Sequence, residues 1–275
     1  MDRIVIKFTH VFCLLMGMAG AASAQLSDST QRVVRMQGTV NFRDVGGYRT
    51  NDGKKVVWGK IFRSADVSHL TDQDLTVLEQ KHIHTVIDFR GVKEAAAAPD
   101  HLLPQTDYLL CPAGSDSLPS AAQMGEVIKS GQFLEKFYSN TDYLGARYKP
   151  LFQKLLTLPD NESMMYHCTG GRDRTGMATA LFLYALGVPQ QTIEADFTAS
   201  NVYLMPMNQR MFKGMEQSTG LDTETIRKAL ELKPELLQTL FNAIKGKYGS
   251  VDNFFEKELG IGEKERAILK QKYTI

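Results

Sequence analysis

Residues 167–176, His167-Cys168-Thr169-Gly170-Gly171-Arg172-Asp173-Arg174-Thr175-Gly176, constrain this chain more than any other stretch. An apolar run, Met164-Met165-Tyr166, precedes them and a longer one, Met177 to Leu186, follows. The segment therefore reads as strand, tight loop and helix. Glycine-rich amides ahead of a helix N-terminus form a concave seat for a tetrahedral anion, and the helix dipole adds to it. Arg174, at the start of that helix, can grip two of the anion's oxygens in a planar fork. The same positive field lowers a cysteine's pKa and leaves a thiolate nucleophile at the loop's mouth. Seat, clamp and nucleophile in one segment imply phosphoryl transfer through a cysteinyl-phosphate. The plainer alternative is a structural loop around a buried cysteine. Five fixed residue types, each at about 5% frequency, meet by chance at fewer than about one position in a million.

The rest of the chain supplies a frame for such a loop. Thr39 to Gly47 reads as an extended segment entering a turn, and Val56 to Ser64 as a strand. Thr71-Asp72-Gln73-Asp74 is a helix start of the capping type, leading a helix from Asp72 to about Lys81 with Leu75 and Leu78 on its apolar face. His84–Phe89 and Asp107–Cys111 are further strands, Ala113–Ser120 is loop-like, and helices are expected over Ala122–Tyr138, Asp142–Leu156 and Arg174–Leu186. Gly187, with Pro189 beyond it, ends the last of these. From there the chain is helical, with breaks at Gly220, 245–250 and 260–262. Strands alternating with helices predict an α/β fold: a mostly parallel central sheet flanked by helices, with a helical C-terminal part. Catalytic loops in such sheets sit at the carboxyl ends of strands, where Cys168 falls.

The loop resembles the His-Cys-x5-Arg-Thr signature of the cysteine-dependent tyrosine/dual-specificity phosphatases. Its Gly-Arg-Asp-Arg-Thr-Gly form is similar to that of the bacterial tyrosine/serine phosphatases related to the secreted mycobacterial enzyme. Upstream, Asn41-Phe42-Arg43-Asp44-Val45-Gly46-Gly47-Tyr48, Phe62-Arg63-Ser64 and Val86-Ile87-Asp88-Phe89-Arg90 are similar to further motifs of that family. Downstream, Asp196-Phe197, Ser200-Asn201 and the Tyr248-to-Gly260 tail are as well, so the resemblance runs from about residue 35 to the end. It departs at Arg172, where the family usually has lysine; a planar fork replaces a point charge, which bears on substrate preference.

The motif gives each residue an expected role. Cys168 is the nucleophile, and Arg174 clamps the equatorial oxygens. Thr169, Gly170, Gly171, Arg172 and Thr175 form the substrate seat, with the Thr175 hydroxyl bonding the sulfur or capping the helix. His167 orients the loop and raises its positive field. The leaving oxygen needs a proton. The resemblance implies Asp173 for that task, the alternative being a salt bridge that holds Arg174; Asp116 and Asp88 are further candidates. Arg172 is expected either to meet a second acidic group of the substrate or to form a solvated surface pair. Arg43, Asp44 and Arg63 are expected to form a structural network beside the site. The mechanism requires no metal or cofactor, and no Cys/His spacing resembles a zinc site. The implied activity is phosphomonoester hydrolysis on phosphorylated proteins. The alternatives are a phosphoinositide or inositol-polyphosphate phosphatase, or a phosphate-binding module without turnover.

The ends and the composition bound the setting. Arg3 and Lys7, the apolar Phe8–Ala21 and Ala22-Ser23-Ala24 read as a secretory signal with an A-x-A cleavage site. The apolar stretch falls short of the roughly 20 residues of a membrane span. Residues 1–24 are then the signal and 25–275 a single phosphatase domain, periplasmic or secreted, with no integral membrane segment after cleavage. Cleavage removes Arg3, Lys7 and Asp2 from totals of 32 basic and 31 acidic residues, leaving 30 of each. A formally neutral chain offers no footprint for nucleic acid. Cys111 and Cys168 are the cysteines left, too few for a disulfide scaffold. Because each ends a strand on one edge of the expected sheet, a reversible bridge between them is one reading; a buried, inert Cys111 is the other.

Overall fold

The computed structural model describes residues 29–117 and 123–275; the expected signal sequence lies outside them. Among the described residues, five strands form one sheet in the order β1-β2-β5-β3-β4: β1 Arg43–Asp44, β2 Ile61–Ser64, β3 Ile83–Asp88, β4 Asp107–Leu110 and β5 Ser163–His167. Only β1 runs antiparallel to its neighbour; the β2–β5, β3–β5 and β3–β4 pairs are parallel. β5 is fully buried because both its faces are covered. Met164 and Tyr166 point into the larger core, and Met165, one residue out of phase, into the smaller one. The predicted α/β class is therefore the observed one.

The helix that follows the loop, α1 (Asp173–Leu186), buries all but a few of its side chains, so its N-terminus is held rigidly against the sheet edge. Gly187 ends it in the left-handed conformation, as its position in the sequence suggested. The C-terminal part is helical, through α2 (Gln190–Tyr203), α3 (Met205–Thr219), α4 (Thr223–Leu230) and α5 (Pro234–Tyr248). The chain then returns, Ile275 exchanging backbone hydrogen bonds with Lys55.

Two expectations are corrected, and one open reading is decided. The single helix expected over 122–138 is two, Met124–Ser130 and Phe133–Ser139, because Gly131 takes a φ of +64° between them. The strand expected from Val56 begins only at Ile61, since Gly59 turns the chain at φ +73°. Cys111 and Cys168 are both buried, free thiols. β3 lies between their strands, which places the strand ends two sheet spacings, roughly 9–10 Å, apart, beyond the ~7 Å a disulfide spans. Burial, with Asp88 nearby, pushes the Cys111 thiol up to about 12, so it is the inert one.

Candidate active site

The loop between β5 and α1 is shaped by what holds its carbonyls. Asp66 N–H donates to the Thr169 carbonyl at 3.0 Å. Asn41 Nδ2 donates to those of Gly170 and Gly171 at 3.2 and 2.9 Å, and Arg63 Nη2 to that of Gly171 at 2.8 Å. With these carbonyls drawn outward, the planar peptide turns the following N–H groups of Gly170, Gly171 and Arg172 toward the loop's centre. Only glycine fits at 171: its φ is +57°, and a Cβ there would lie 2.1 Å from the Ser64 carbonyl oxygen.

Cys168 sits at the base of this cup, 2% exposed. Burial opposes its ionisation, yet the Arg174 charge and the hydroxyl and N–H of Thr175 outweigh it and hold the thiol below its ordinary pKa. The buried Thr175 hydroxyl has no other partner among the described residues, which fits the sulfur contact rather than a helix cap. Tyr148 donates to the Arg174 carbonyl at 2.8 Å and fixes the backbone there.

Arg174 has a partner that the sequence did not reveal. Glu94, on the short helix Val92–Ala97, takes Arg174 Nη1 at 2.6 Å and Nη2 at 3.1 Å, one on each oxygen. It also accepts the Thr169 hydroxyl at 2.7 Å and the Gly91 N–H at 2.8 Å. Burial works against the Glu94 carboxylate, but Arg174 overrides it and brings its pKa to about 2. A fork gripped on its Nη edge has a fixed plane, and Nη2 also donates to the Thr169 hydroxyl of the loop at 3.2 Å. The sequence motifs did not single out Glu94; its place at the third position of a helix, after Gly91, was the one available signal.

Around the loop lies a buried ion cluster. Asp196 Oδ2 binds Arg63 Nη1 at 2.7 Å, and Oδ1 binds Arg43 Nε at 3.2 Å and the Tyr48 hydroxyl at 2.9 Å. Arg43 and Arg63 thus form the expected network, and Arg63 joins it to the loop. Asp44 does not belong to it; its carboxylate accepts the N–H groups of Gly46 and Gly59 at 2.7 and 2.6 Å.

The model of the tyrosine phosphatase family matches residues 34–275. The chain belongs to that family. A Cupriavidus necator protein named as a tyrosine-protein phosphatase is 28% identical over 227 residues, covering 80% of this chain and 82% of that one. The triple specificity protein phosphatase PtpB of Mycobacterium tuberculosis is 28% identical over 271 residues, covering 84% and 95%. A crystal structure of P. aeruginosa TpbA aligns over 64% of this chain and 89% of that one at 17% identity, with a TM-score of 0.27, too low to bear on the fold.

In this phosphatase the candidate acids separate by environment. Asp173 opens α1 beside the loop, accepting Arg172 Nε at 2.9 Å and the Tyr138 hydroxyl at 3.0 Å. Its salt bridge is with Arg172, not Arg174. Arg172 is no solvated surface pair, because Nη1 also donates to the Leu230 carbonyl at 2.9 Å. Asp116 accepts the N–H groups of Val92 and Lys93 at 3.0 and 3.2 Å, holding the start of the helix that carries Glu94. Asp88 is gripped by Arg90 and Tyr108; burial raises its pKa, but His167 and Arg90 lower it further, so it stays ionised and is a poor proton donor. His167 Nε2 lies 2.9 Å from Asp100 and is turned to this cluster rather than to the loop. Atoms of Asp88, Asp100 and His167 come within 4.8 Å of one another, a metal-like grouping whose compensating charge Arg90 already supplies.

Proposed function

We propose that this protein hydrolyses phosphomonoesters of phosphorylated proteins through a phosphocysteine on Cys168. The observation that carries the reading is the conjunction at one strand end: amides turned inward by tethered carbonyls, around a thiol whose pKa is lowered by Arg174. The thiolate attacks phosphorus in line, forming the S–P bond as the P–O bond to the leaving group breaks. Arg174 and the loop amides balance the charge on the equatorial oxygens. Asp173, adjacent to the clamp and oriented by Arg172 and Tyr138, is the proposed donor of the proton to the leaving oxygen. Water then attacks the phosphocysteine and gives its proton to the Asp173 carboxylate. Inorganic phosphate leaves, and the thiolate is restored.

A binding module without turnover fits less well, because nucleophile, clamp and thiolate-stabilising hydroxyl occur together. A preference for inositol polyphosphates calls for free cations at the rim, whereas Arg172 is held by Asp173 and the Leu230 carbonyl. We read residues 25–275 as one phosphatase domain, exported to the periplasm or beyond after cleavage following Ala24; N-terminal sequencing of the mature protein tests that. The function is tested by hydrolysis of a panel of phosphopeptides and phosphoinositides. Preferred turnover of phosphopeptides supports the reading, and turnover confined to the lipids overturns it.

A further inference from the structure

A groove of about 580 Å³ opens beside the catalytic loop, with Arg172 of the loop as one wall. Its other walls come from the end of α2, from α3 and from α4. Phe212 and Leu230 are buried at its floor, whereas Val202 and Met205 stand 66% and 54% exposed at its rim. These are among the most exposed large apolar side chains of the described residues, and they lie together. The groove is continuous with the loop. Arg172 reaches into it to bond the Leu230 carbonyl, and Met207 at the start of α3 lies within 4.0 Å of where a Cβ on Gly170 would be.

We infer that this groove is a specificity subsite for the peptide flanking the phosphorylated residue of a protein substrate, and that it takes an apolar side chain between Val202 and Met205. The inference rests on the phosphatase reading above. A substrate phosphate seated over Cys168 puts the adjoining chain within reach of the Arg172 wall, because the loop that holds the phosphate is also the groove's boundary. The volume lies in the range of sites that enclose a small ligand, enough for side chains on either side of the phosphorylated residue. The rim suits a peptide: the amide side chains of Asn208 and Gln209 can pair with a main chain. Lys213, Glu216, Arg227 and Glu231 alternate in sign there, whereas a surface that takes up anionic lipid collects one sign. Contacts remote from the reacting atoms are where such enzymes gain discrimination between substrates.

The test compares Val202→Glu and Met205→Glu with the parent, both positions being exposed so that the fold tolerates the change. Matched phosphotyrosine peptides with leucine or serine beside the phosphorylated residue are assayed against p-nitrophenyl phosphate, which is too small to reach the groove. The ratio of kcat/KM for the leucine peptide to that for p-nitrophenyl phosphate should fall by about tenfold, and the serine peptide's ratio should change less. Equal losses on the peptide and the small ester overturn the subsite, since the substitution then acts on the loop. Unchanged ratios for both peptides overturn it as well, and so does a loss confined to long-acyl phosphoinositides, which assigns the groove to lipid. Failure of the phosphatase reading itself is distinct: the parent would then hydrolyse none of the esters.

Discussion

Asp196→Asn isolates the ion cluster on which the loop's shape depends. The variant keeps the side chain's size and removes its charge, leaving Arg43 and Arg63, both fully buried, without their shared anion. At an effective dielectric of about 20, unit charges about 4 Å apart attract by roughly 4 kcal/mol, and two such pairs are lost while the guanidinium groups stay desolvated. Removing one partner of a buried pair typically costs about 3–5 kcal/mol. In a domain of this size that corresponds to a Tm lowered by roughly 6–20 °C. Urea denaturation near pH 7 and a thermal scan read the loss directly. The pH dependence fixes the sign. Burial penalises the Asp196 carboxylate, but Arg43 and Arg63 outweigh this and hold it far below the usual range. Its stabilisation is therefore complete above the unfolded carboxyl's value of about 3.9 and fades as the pH falls below that. The gap between parent and variant should narrow in acid. Phosphate affinity should drop too, because Arg63 holds the Gly171 carbonyl. A loss below about 1 kcal/mol, or a gap that does not shrink in acid, would refute the reasoning.

Glu94→Gln should lower kcat by about 10- to 100-fold through a loosened Arg174, and should shift alkylation of Cys168 by iodoacetate to lower pH because the Arg174 charge is no longer shared. An alkylation profile that does not move would show that the Glu94 carboxylate does not act on the thiolate through Arg174. Asp173→Asn should slow alkyl phosphates more than aryl phosphates with acidic leaving groups and flatten the alkaline limb of the pH–rate profile; equal losses on both would leave Asp173 with only its salt bridge. Cys111→Ser should recover from mild peroxide with dithiothreitol as well as the parent does, since no bridge to Cys168 forms; poorer recovery would contradict the sheet geometry.

The strand, loop and helix around Cys168 were legible because their determinants are local: an apolar run, glycines where the backbone must turn, and a guanidinium at a helix start. The alternation of strands and helices likewise carried the parallel sheet. Strand order was not legible. Nothing in residues 83–88 or 107–111 states that β3 lies between β4 and β5, and on that order the fate of a Cys111–Cys168 bridge turned. Glu94 and Asp196 were missed as partners for the same reason. Arg174 is 80 residues from Glu94, and Arg43 is 153 from Asp196, so each pairing exists only after the chain has folded. Gly131 was a readable break inside the expected 122–138 helix, and the periodicity of the flanking apolar residues concealed it.

The covalent step is open to direct observation. Mature protein mixed in excess with a phosphotyrosine peptide, quenched in acid within a single turnover and digested, should yield a peptide carrying one phosphoryl group on Cys168 by mass spectrometry. Cys168→Ser should bind vanadate but turn over no substrate. A quenched enzyme with no phosphoryl group on Cys168, together with near-parental turnover by Cys168→Ser, would contradict the phosphocysteine mechanism.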